Sequence, residues 1–422
     1  FCRLDALGLE AVGQIVEPDR AVIECRVAEP DRWCRKCGCE GVARDTVARR
    51  LAHEPFGHRP TTLLIRVRRY KCSGCGRVWR QDTSKAAPER AKISRGGLAW
   101  GLAGLVLDHL SVSRVAAGLG VSWSAANSAV LAEGERQLID DPARFDGVTT
   151  IGVDEHVWRH TRKGDKYVTV IIDLTPNRNK TGPARLLDMV EGRSKAVFKD
   201  WLAGRPKEWS KQIEVVAMDG FTGFKTAAAE EPPAAVPVMD PCHVVRLAGD
   251  GLDRCRQRVQ QATLGHRGRA GDPLYKARRT LHTGGGLFTD KQRDRRTALF
   301  AAEQHVEVEA TWGIYQRVIA AYREPDKDKG KQMMQAVIDA VTTGVPAALV
   351  EIHKLGRTLK QRAADILAFF DRPGTSNGPT EAINGRLEHL RGTALGFRNL
   401  TNYIAMSLLE AGGFRPHLHP RS

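Results

Sequence analysis

The sequence predicts a mixed α/β core that is interrupted by a helical insertion and preceded by two small N-terminal modules. Five strand-like runs lie between residues 148 and 240, and four of them end in an aspartate. Residues 244–366 carry many arginines and lysines on long helical patterns, without a strand-like run. Seven of the nine cysteines fall within residues 1–85. These observations divide the chain into five segments: 1–85, 86–146, 147–243, 244–366 and 367–422.

Length and charge set broad limits on what the protein does. A chain of 422 residues exceeds the ~250–300 residues at which one core stops growing, so two or three domains are expected. The formal net charge of +16 suits a polyanionic partner such as nucleic acid, although an ordinary basic surface is an equal alternative. Neither a membrane-spanning apolar run nor a signal peptide is recognisable, so we expect a cytoplasmic protein without a membrane partner.

The first segment, residues 1–85, is predicted to be a zinc ribbon. Cys34 and Cys37 form one C-x2-C turn, Cys72 and Cys75 form another, and a glycine follows each turn. Four thiolates complete a tetrahedral shell, which is typical of one structural Zn²⁺. Cys39 remains a possible substitute for Cys37, and free buried cysteines are the alternative. Basic residues near the second turn would suit phosphates, although a solvated charged face is nearly as plausible: Arg66, Arg68 and Arg69.

The second segment, residues 86–146, is predicted to contain a helix-turn-helix unit. Val112, Val115 and Leu119 share one helical face, Gly120 supplies a turn, and Ser122 is a suitable N-cap for the next helix. An αα-hairpin that only packs is the alternative. In the helix-turn-helix interpretation, the second helix offers four side chains to a DNA major groove: Ser122, Trp123, Ser124 and Asn127.

Aspartates at strand ends are the candidate catalytic groups of residues 147–243. Phosphodiester cleavage with two divalent ions needs carboxylates that converge from separate elements. In a ribonuclease H-like strand order, the first and fourth strands end at the same rim, which selects Asp154 and Asp219. Asp173 then lies at the opposite rim and is interpreted as a solvated turn residue. Asp240, which forms a D-x-x-H pair with His243, is assigned a supporting role.

A third acid is expected from a helix in residues 367–422. Pro379 is at home in a first helical turn, and Ile383, Leu387 and Leu390 form the buried stripe. Glu381 and Glu388 share another face of this helix. Periodicity alone does not choose between these two glutamates.

Four stretches together resemble a known protein family: GVDEHVWR, VVAMDGFTGFK, MDPCHVV and TSNGPTEAINGRLEHLRGTALGFRNLTNYI. The sequence resembles the DDE transposases of the bacterial ISL-three insertion-sequence family, whose order of cysteine pairs and helix-turn-helix it shares. The resemblance implies a ribonuclease H-like core with a helical insertion between the second and third acids. It also implies that Asp154, Asp219 and Glu381 form the catalytic triad and hold two Mg²⁺ ions, for which Mn²⁺ can substitute.

The implied activity is cleavage at the terminal inverted repeats of an insertion sequence, followed by joining of the freed 3′-OH to target DNA. The implied protein is a homodimer on double-stranded DNA, associated with the nucleoid of a bacterial cytoplasm. Arginines of the helical insertion, among them Arg254 and Arg258, are expected to lie along the DNA. A zinc-ribbon and helix-turn-helix regulator with a vestigial catalytic core is the alternative, although such a regulator has no use for three acids in these positions.

Overall fold

The computed structural model describes residues 2–29, 31–161, 165–232 and 234–418. The chain forms two compact units: residues 1–144 together with 387–422, and residues 145–386. The predicted final segment, 367–422, therefore contributes to both units. The division into five segments remains a prediction.

The first unit is built on a five-stranded sheet. Its strands are β1 (Leu9–Val16), β2 (Ala21–Val27), β3 (Gly41–Phe56), β4 (Arg59–Cys72) and β5 (Val78–Arg80). The order is β1-β2-β4-β3, with β5 paired to β4. The long β3–β4 hairpin turns at Gly57, whose φ of +64° is readily adopted only by glycine. Leu51, Leu63 and Ile65 of this hairpin are fully buried, so one face of the sheet forms the core of the unit.

Three helices follow this sheet: α1 (Arg95–Val106), α2 (Val112–Leu119) and α3 (Trp123–Gly134), the last extended by a π-helical turn over Glu135–Ile139. The side chains of Ser94, Ser111 and Ser122 cap their N-termini. No single described helix is long and apolar enough to cross a membrane. The pair Val112–Leu119 and Trp123–Ile139 meets those criteria only when taken together, and it is bent by 107°.

The second unit contains a five-stranded sheet flanked by helices. The strands are β6 (Thr150–Val157), β7 (Tyr167–Asp173), β8 (Arg185–Glu191), β9 (Val215–Met218) and β10 (Val236–Met239). Their order is β10-β9-β6-β7-β8, in which β6, β9 and β10 are parallel while β7 is antiparallel to β6 and β8. The helices between the strands are α4 (Thr175–Arg178), α5 (Lys195–Ala203), α6 (Lys207–Gln212) and α7 (Thr222–Glu230). Strand β9 is buried along its whole length, as expected for a strand covered on both faces.

A helical region follows β10, as the sequence predicts. Its helices are α8 (Pro241–Leu264), α9 (Pro273–His282), α10 (Asp290–Phe300), α11 (Val306–Arg323), α12 (Lys327–Thr342), α13 (Val350–Gln361) and α14 (Ala363–Asp371). They enclose an apolar cluster of their own that includes Leu252, Val318 and Met334. Helix α15 (Gly378–Thr393) crosses the division between the units, and α16 (Leu400–Ala411) and α17 (Arg415–Leu418) belong to the first.

Candidate functional site

Two aspartates leave the central sheet at the same rim. Strands β6 and β9 are parallel neighbours in a register that pairs Val153 with Met218, so the next residues, Asp154 and Asp219, are adjacent. The sequence predicted that Asp154 ends its strand, but β6 continues to Val157 through its pairing with β7. Asp154 ends only the part of β6 that pairs with β9.

Asp154 is partly buried among acids and holds two hydrogen bonds. Its Oδ1 accepts the backbone N–H of Glu155 at 2.8 Å, and its Oδ2 accepts the amide of Asn384 at 2.9 Å. The pKa of Asp154 is raised to about 7, mainly by burial and further by the neighbouring carboxylates of Asp219, Glu155 and Glu381, while the Glu155 N–H has a lowering effect. Asp154 and Asp219 are thus neighbours at one rim of the sheet, and Glu381 lies near enough for its charge to act on Asp154.

The approach to helix α15 places Glu381 beside this rim. Asn377 donates its side-chain amide to the Val153 carbonyl at 3.5 Å and accepts the Thr380 hydroxyl at 2.6 Å. A Cβ at Gly152 would lie 2.7 Å from both of these polar side chains, so a glycine is required there. The start of α15 can therefore pack directly on β6. Glu388, the alternative third acid, belongs to the first unit and forms an ion pair with Arg391.

Asp240 joins two segments instead of facing solvent. It is 3% exposed, and its Oδ1 accepts the Ser376 hydroxyl at 3.1 Å and the Asn377 backbone N–H at 2.8 Å. Its Oδ2 accepts the backbone N–H of His243 at 3.2 Å as the N-cap of α8. With both oxygens engaged, Asp240 ties the start of α8 to the segment that leads into Glu381.

His243 lies against the turn that follows Asp219. A Cβ at Gly220 would come within 2.3 Å of His243 Nε2, so only glycine lets the ring approach this closely. The other ring nitrogen, Nδ1, is 2.8 Å from Arg246 Nη2. Burial lowers the pKa of His243 and outweighs the opposing effect of Asp219. The neutral ring therefore predominates at neutral pH, with Nδ1 accepting from the guanidinium.

Arg362 supports the same turn and was missed by sequence reasoning. Its side chain is 3% exposed, and Nη1 donates to the Gly220 carbonyl at 3.0 Å. The buried Asp365 accepts from Arg362 Nε at 2.5 Å and from Lys225 Nζ at 3.0 Å. The only sequence signal is an Arg–Asp pair three residues apart on a helix, which is too common to indicate a site.

At the opposite rim of the same sheet, Asp173 is only 2% exposed and bonds Arg185 at 2.9 Å, so its interpretation as a solvated residue was wrong.

Four cysteines form a second cluster, in the first unit. The Sγ atoms of Cys34 and Cys75 are 3.6 Å apart, those of Cys37 and Cys72 are 3.3 Å apart, and all four lie within 4.8 Å of one another. A tetrahedral Zn²⁺ with ~2.3 Å bonds requires sulfur separations of roughly 3.7 Å, so the cluster could hold zinc. A backbone hydrogen bond from Cys75 lowers the pKa of Cys72 to about 6, which favours its thiolate. Cys39 lies outside this set.

Comparison with known proteins identifies the family. A family model of the ISL-three DDE type, described as a transposase, matches residues 151–407. The chain belongs to the ISL-three family of DDE transposases. The resemblance read from the sequence motifs is thereby confirmed. The matched range of this family member contains the acids of both sheet rims, whereas the cysteine cluster and helices α2 and α3 precede it.

Two curated relatives of this ISL-three family member carry the name "Transposase for insertion sequence element IS1557", from Mycobacterium tuberculosis strains CDC 1551 / Oshkosh and ATCC 25618 / H37Rv. Each is 26% identical over 302 residues, which cover 66% of this chain and 64% of the relative. The match therefore spans slightly less than two thirds of the relatives' own length.

The arginines predicted to contact DNA from β4 of this family member are mostly neutralised. Arg66 pairs with Glu24 at 3.1 Å, and Arg69 makes a two-pronged ion pair with Asp45. Arg68 is exposed. Two of the three predicted cations are thus engaged by carboxylates on the same surface.

Helices α2 and α3 occupy the segment of the predicted helix-turn-helix, with Gly120 at a φ of +64° between them. Their 107° bend is within the range of helix-turn-helix units. Ser122 caps α3, and Ser124 and the 52% exposed Trp123 are available at its start. Asn127 is only 8% exposed on the packed side of the helix, so the prediction that it is offered to a groove does not fit the structure.

The two arginines singled out in the helical region differ in their surroundings. Arg254 is exposed, and its Nε donates to the carbonyl of Asp250 at 3.0 Å. Arg258 is engaged by Glu307 at 2.7 Å and by Glu351 at 2.9 Å. Arg258 therefore ties α8 to α11 and α13, and its prediction as a DNA contact does not fit this geometry.

Proposed function

We propose that this chain is the transposase of a bacterial insertion sequence, which cleaves DNA at the ends of the element and joins the freed 3′-OH to target DNA. The observation that carries the proposal is the placement of Asp154 and Asp219 after paired positions of the neighbouring parallel strands β6 and β9, with Glu381 near enough to contribute, after burial, to the raised pKa of Asp154. The strand order β10-β9-β6-β7-β8, with β7 antiparallel to its neighbours, supports a ribonuclease H-like core.

The acid cluster fits divalent cations. Its donors are carboxylate oxygens, the ligands that Mg²⁺ and Mn²⁺ prefer, and a group of mutually repelling carboxylates gains stability when cations neutralise it. Asp154, Asp219 and Glu381 would hold two Mg²⁺ ions. When bound, such ions activate the attacking water or 3′-OH and stabilise the leaving 3′ oxygen.

Neighbouring residues keep the three acids in place for this chemistry. The Asn384 amide and the Glu155 N–H orient the two oxygens of Asp154, and the Phe221 N–H holds Asp219 Oδ1 at 2.8 Å. Asp240 sets the position of Glu381 through Asn377. His243 borders the site as a neutral ring whose Nε2 can donate a hydrogen bond, because Nδ1 accepts from Arg246.

The direct test uses Asp219→Asn, because an asparagine keeps the Oδ1 that accepts the Phe221 N–H while losing the charge. We expect this variant to bind a terminal-repeat duplex normally and to lose Mg²⁺-dependent cleavage. Unchanged cleavage would refute the assignment. Wild-type protein that binds the duplex but never cuts it would favour the alternative of a DNA-binding regulator.

The third acid is tested by Glu381→Gln beside Glu388→Gln. Both changes remove one carboxylate from the same helix, so they match in charge and in location. We expect cleavage to be lost with Glu381→Gln and kept with Glu388→Gln. The opposite result would make Glu388 the third acid.

The remaining parts of the proposal concern partners. We propose that the cysteine cluster holds one structural Zn²⁺, that Ser122, Trp123 and Ser124 contact the terminal inverted repeat, and that Arg68 and Arg254 contact phosphates. Because two ends must be brought together, a homodimer on DNA in the bacterial cytoplasm, associated with the nucleoid, is expected. Light scattering that finds a monomer holding both ends would contradict the dimer.

A further inference from the structure

A groove lined by arginines runs along the first unit between the cysteine cluster and strand β3. Its volume is about 870 Å³. Six arginines line this arginine groove, against three acids, Asp31, Asp82 and Glu89: Arg35, Arg49, Arg50, Arg77, Arg80 and Arg90. The lining therefore carries a clear excess of positive charge, contributed by arginines scattered between residues 35 and 90.

The central arginines of the groove are not neutralised at close range. Arg49 donates from Nη1 to the Thr83 hydroxyl and from Nη2 to the Pro88 carbonyl, each at 2.5 Å, and both acceptors are uncharged. Burial lowers the pKa of Arg49, and the nearby Arg80 lowers it further. The nearest acid to Arg80 is Glu89 at 3.9 Å, and both side chains are largely exposed, where an ion pair contributes little.

The rim of the groove adds further cations. Arg77 and Arg90 are exposed and form no ion pair within 4 Å among the described residues. Arg35 is 72% exposed and lies 3.4 Å from Asp31 and 3.9 Å from Asp82. Arg77 and Arg90 thus differ from Arg66 and Arg69 of β4, each of which is held by a carboxylate.

The walls of the groove are fixed in position. Arg35 lies inside the first cysteine turn, and Arg77 follows the second by two residues, so a metal bound by the cluster would fix the backbone at both positions. Trp79 stacks on Tyr70 with ring centroids 5.7 Å apart and donates its indole N–H to the Asp31 carbonyl at 2.9 Å. A Cβ at Gly41 would lie 2.3 Å from the Trp79 ring, so the glycine is needed for this packing. A preformed groove binds an anionic ligand with little ordering cost.

We propose that the arginine groove binds the sugar-phosphate backbone of duplex DNA at the end of the element. The groove, and not the β4 surface, is then the main phosphate-binding site of the first unit. This inference rests on the proposed function and specifies where its DNA is held. Guanidinium groups suit the site because they bind phosphate oxygens with two parallel hydrogen bonds.

The test compares two double variants of the full-length protein that remove the same charge. Arg77→Gln/Arg80→Gln removes two groove cations that lack close acids, and Arg66→Gln/Arg69→Gln removes two ion-paired cations from β4. Binding is measured by fluorescence anisotropy on a duplex that carries the terminal repeat and on a shuffled duplex, at several salt concentrations. Bound zinc is measured in parallel, to verify that the cluster is intact.

A phosphate contact contributes about −0.9 to the slope of log K against log salt. The groove variant should therefore lose roughly two units of slope and, near 0.1 M salt, roughly tenfold or more in affinity, on both duplexes alike. The β4 variant should lose less than threefold. Equal losses in the two variants, or a groove variant that binds as well as wild type, would overturn the proposal.

Failure of this inference is distinguishable from failure of the proposed function. Wild-type protein that cleaves the duplex while the groove variant binds normally overturns the groove alone. Wild-type protein that binds neither duplex overturns both. An affinity loss confined to the terminal-repeat duplex would also contradict the groove, because phosphate contacts do not read sequence.

Discussion

Replacing Asp154 by asparagine should stabilise the Mg²⁺-free protein at neutral and alkaline pH, although it removes a proposed metal ligand. The pKa of Asp154 is raised from 3.8 to about 7 by burial and by three neighbouring carboxylates. A raised pKa means that the folded protein holds a proton which the unfolded chain has already released. Stability associated with this group is therefore full below about pH 4 and is lost as the pH rises towards 7.

The size of the pKa shift of Asp154 gives an upper limit for the stability gained by Asp154→Asn. About three pKa units, at ~1.36 kcal/mol each, correspond to about 4 kcal/mol at pH 8. Because the side chain is only partly buried, we expect about half of this. A gain of about 2 kcal/mol should raise the unfolding temperature of a unit of this size by roughly 4–8 °C.

The asparagine should fit without strain. Its Oδ1 can accept the Glu155 N–H as the carboxylate does. Its Nδ2 would face Asn384, whose Oδ1 is buried without a hydrogen-bond partner and whose amide can turn over to accept. The substitution thus removes a charge and keeps one hydrogen bond to Asn384.

The assay is thermal or urea unfolding at pH 5 and pH 8, in Mg²⁺-free buffer without chelator so that zinc is retained. Asp173→Asn is the matched control on the same sheet: it breaks the buried pair with Arg185 and should destabilise the protein at both pH values. An Asp154→Asn protein that is less stable than wild type at pH 8, or a difference from wild type that does not grow with pH, would refute the reasoning.

Three further predictions follow from the same contacts. Because Asp154 must lose its proton to bind a cation, the Mg²⁺ affinity of the wild type should rise by roughly tenfold between pH 6 and pH 8 and level off above, as measured by calorimetry; a flat profile would contradict the raised pKa. Cys72→Ser should lose bound zinc and lower the unfolding temperature, whereas Cys39→Ser should keep its metal, and elemental analysis that finds equal zinc in both would exclude the four-cysteine site. Arg362→Met should free the Gly220 carbonyl and raise the Mg²⁺ concentration needed for half-maximal cleavage, with little change in DNA affinity; an unchanged Mg²⁺ requirement would limit Arg362 to a packing role.

Local patterns in the sequence determined much of the architecture. Runs of β-branched residues predicted all five strands of the second sheet because buried strands need continuous apolar stretches. The two C-x2-C turns predicted the cysteine cluster because the turn geometry is encoded within four residues. The strand ends, combined with an assumed strand order, predicted that Asp154 and Asp219 would meet, and the register of β6 and β9 brings them together.

The partners of charged side chains were decided only by the tertiary structure. The sequence does not indicate whether a basic residue faces solvent or a carboxylate. Arg258 pairs with Glu351 across 93 residues, and Arg66 pairs with Glu24 across 42. Large separations along the chain also kept the residues that support the acid cluster from being predicted. Asn384 bonds Asp154 across 230 residues, and Arg362 bonds Gly220 across 142. Secondary structure follows from neighbours in the chain, whereas the charge state and position of a site depend on groups that only folding brings within hydrogen-bond distance.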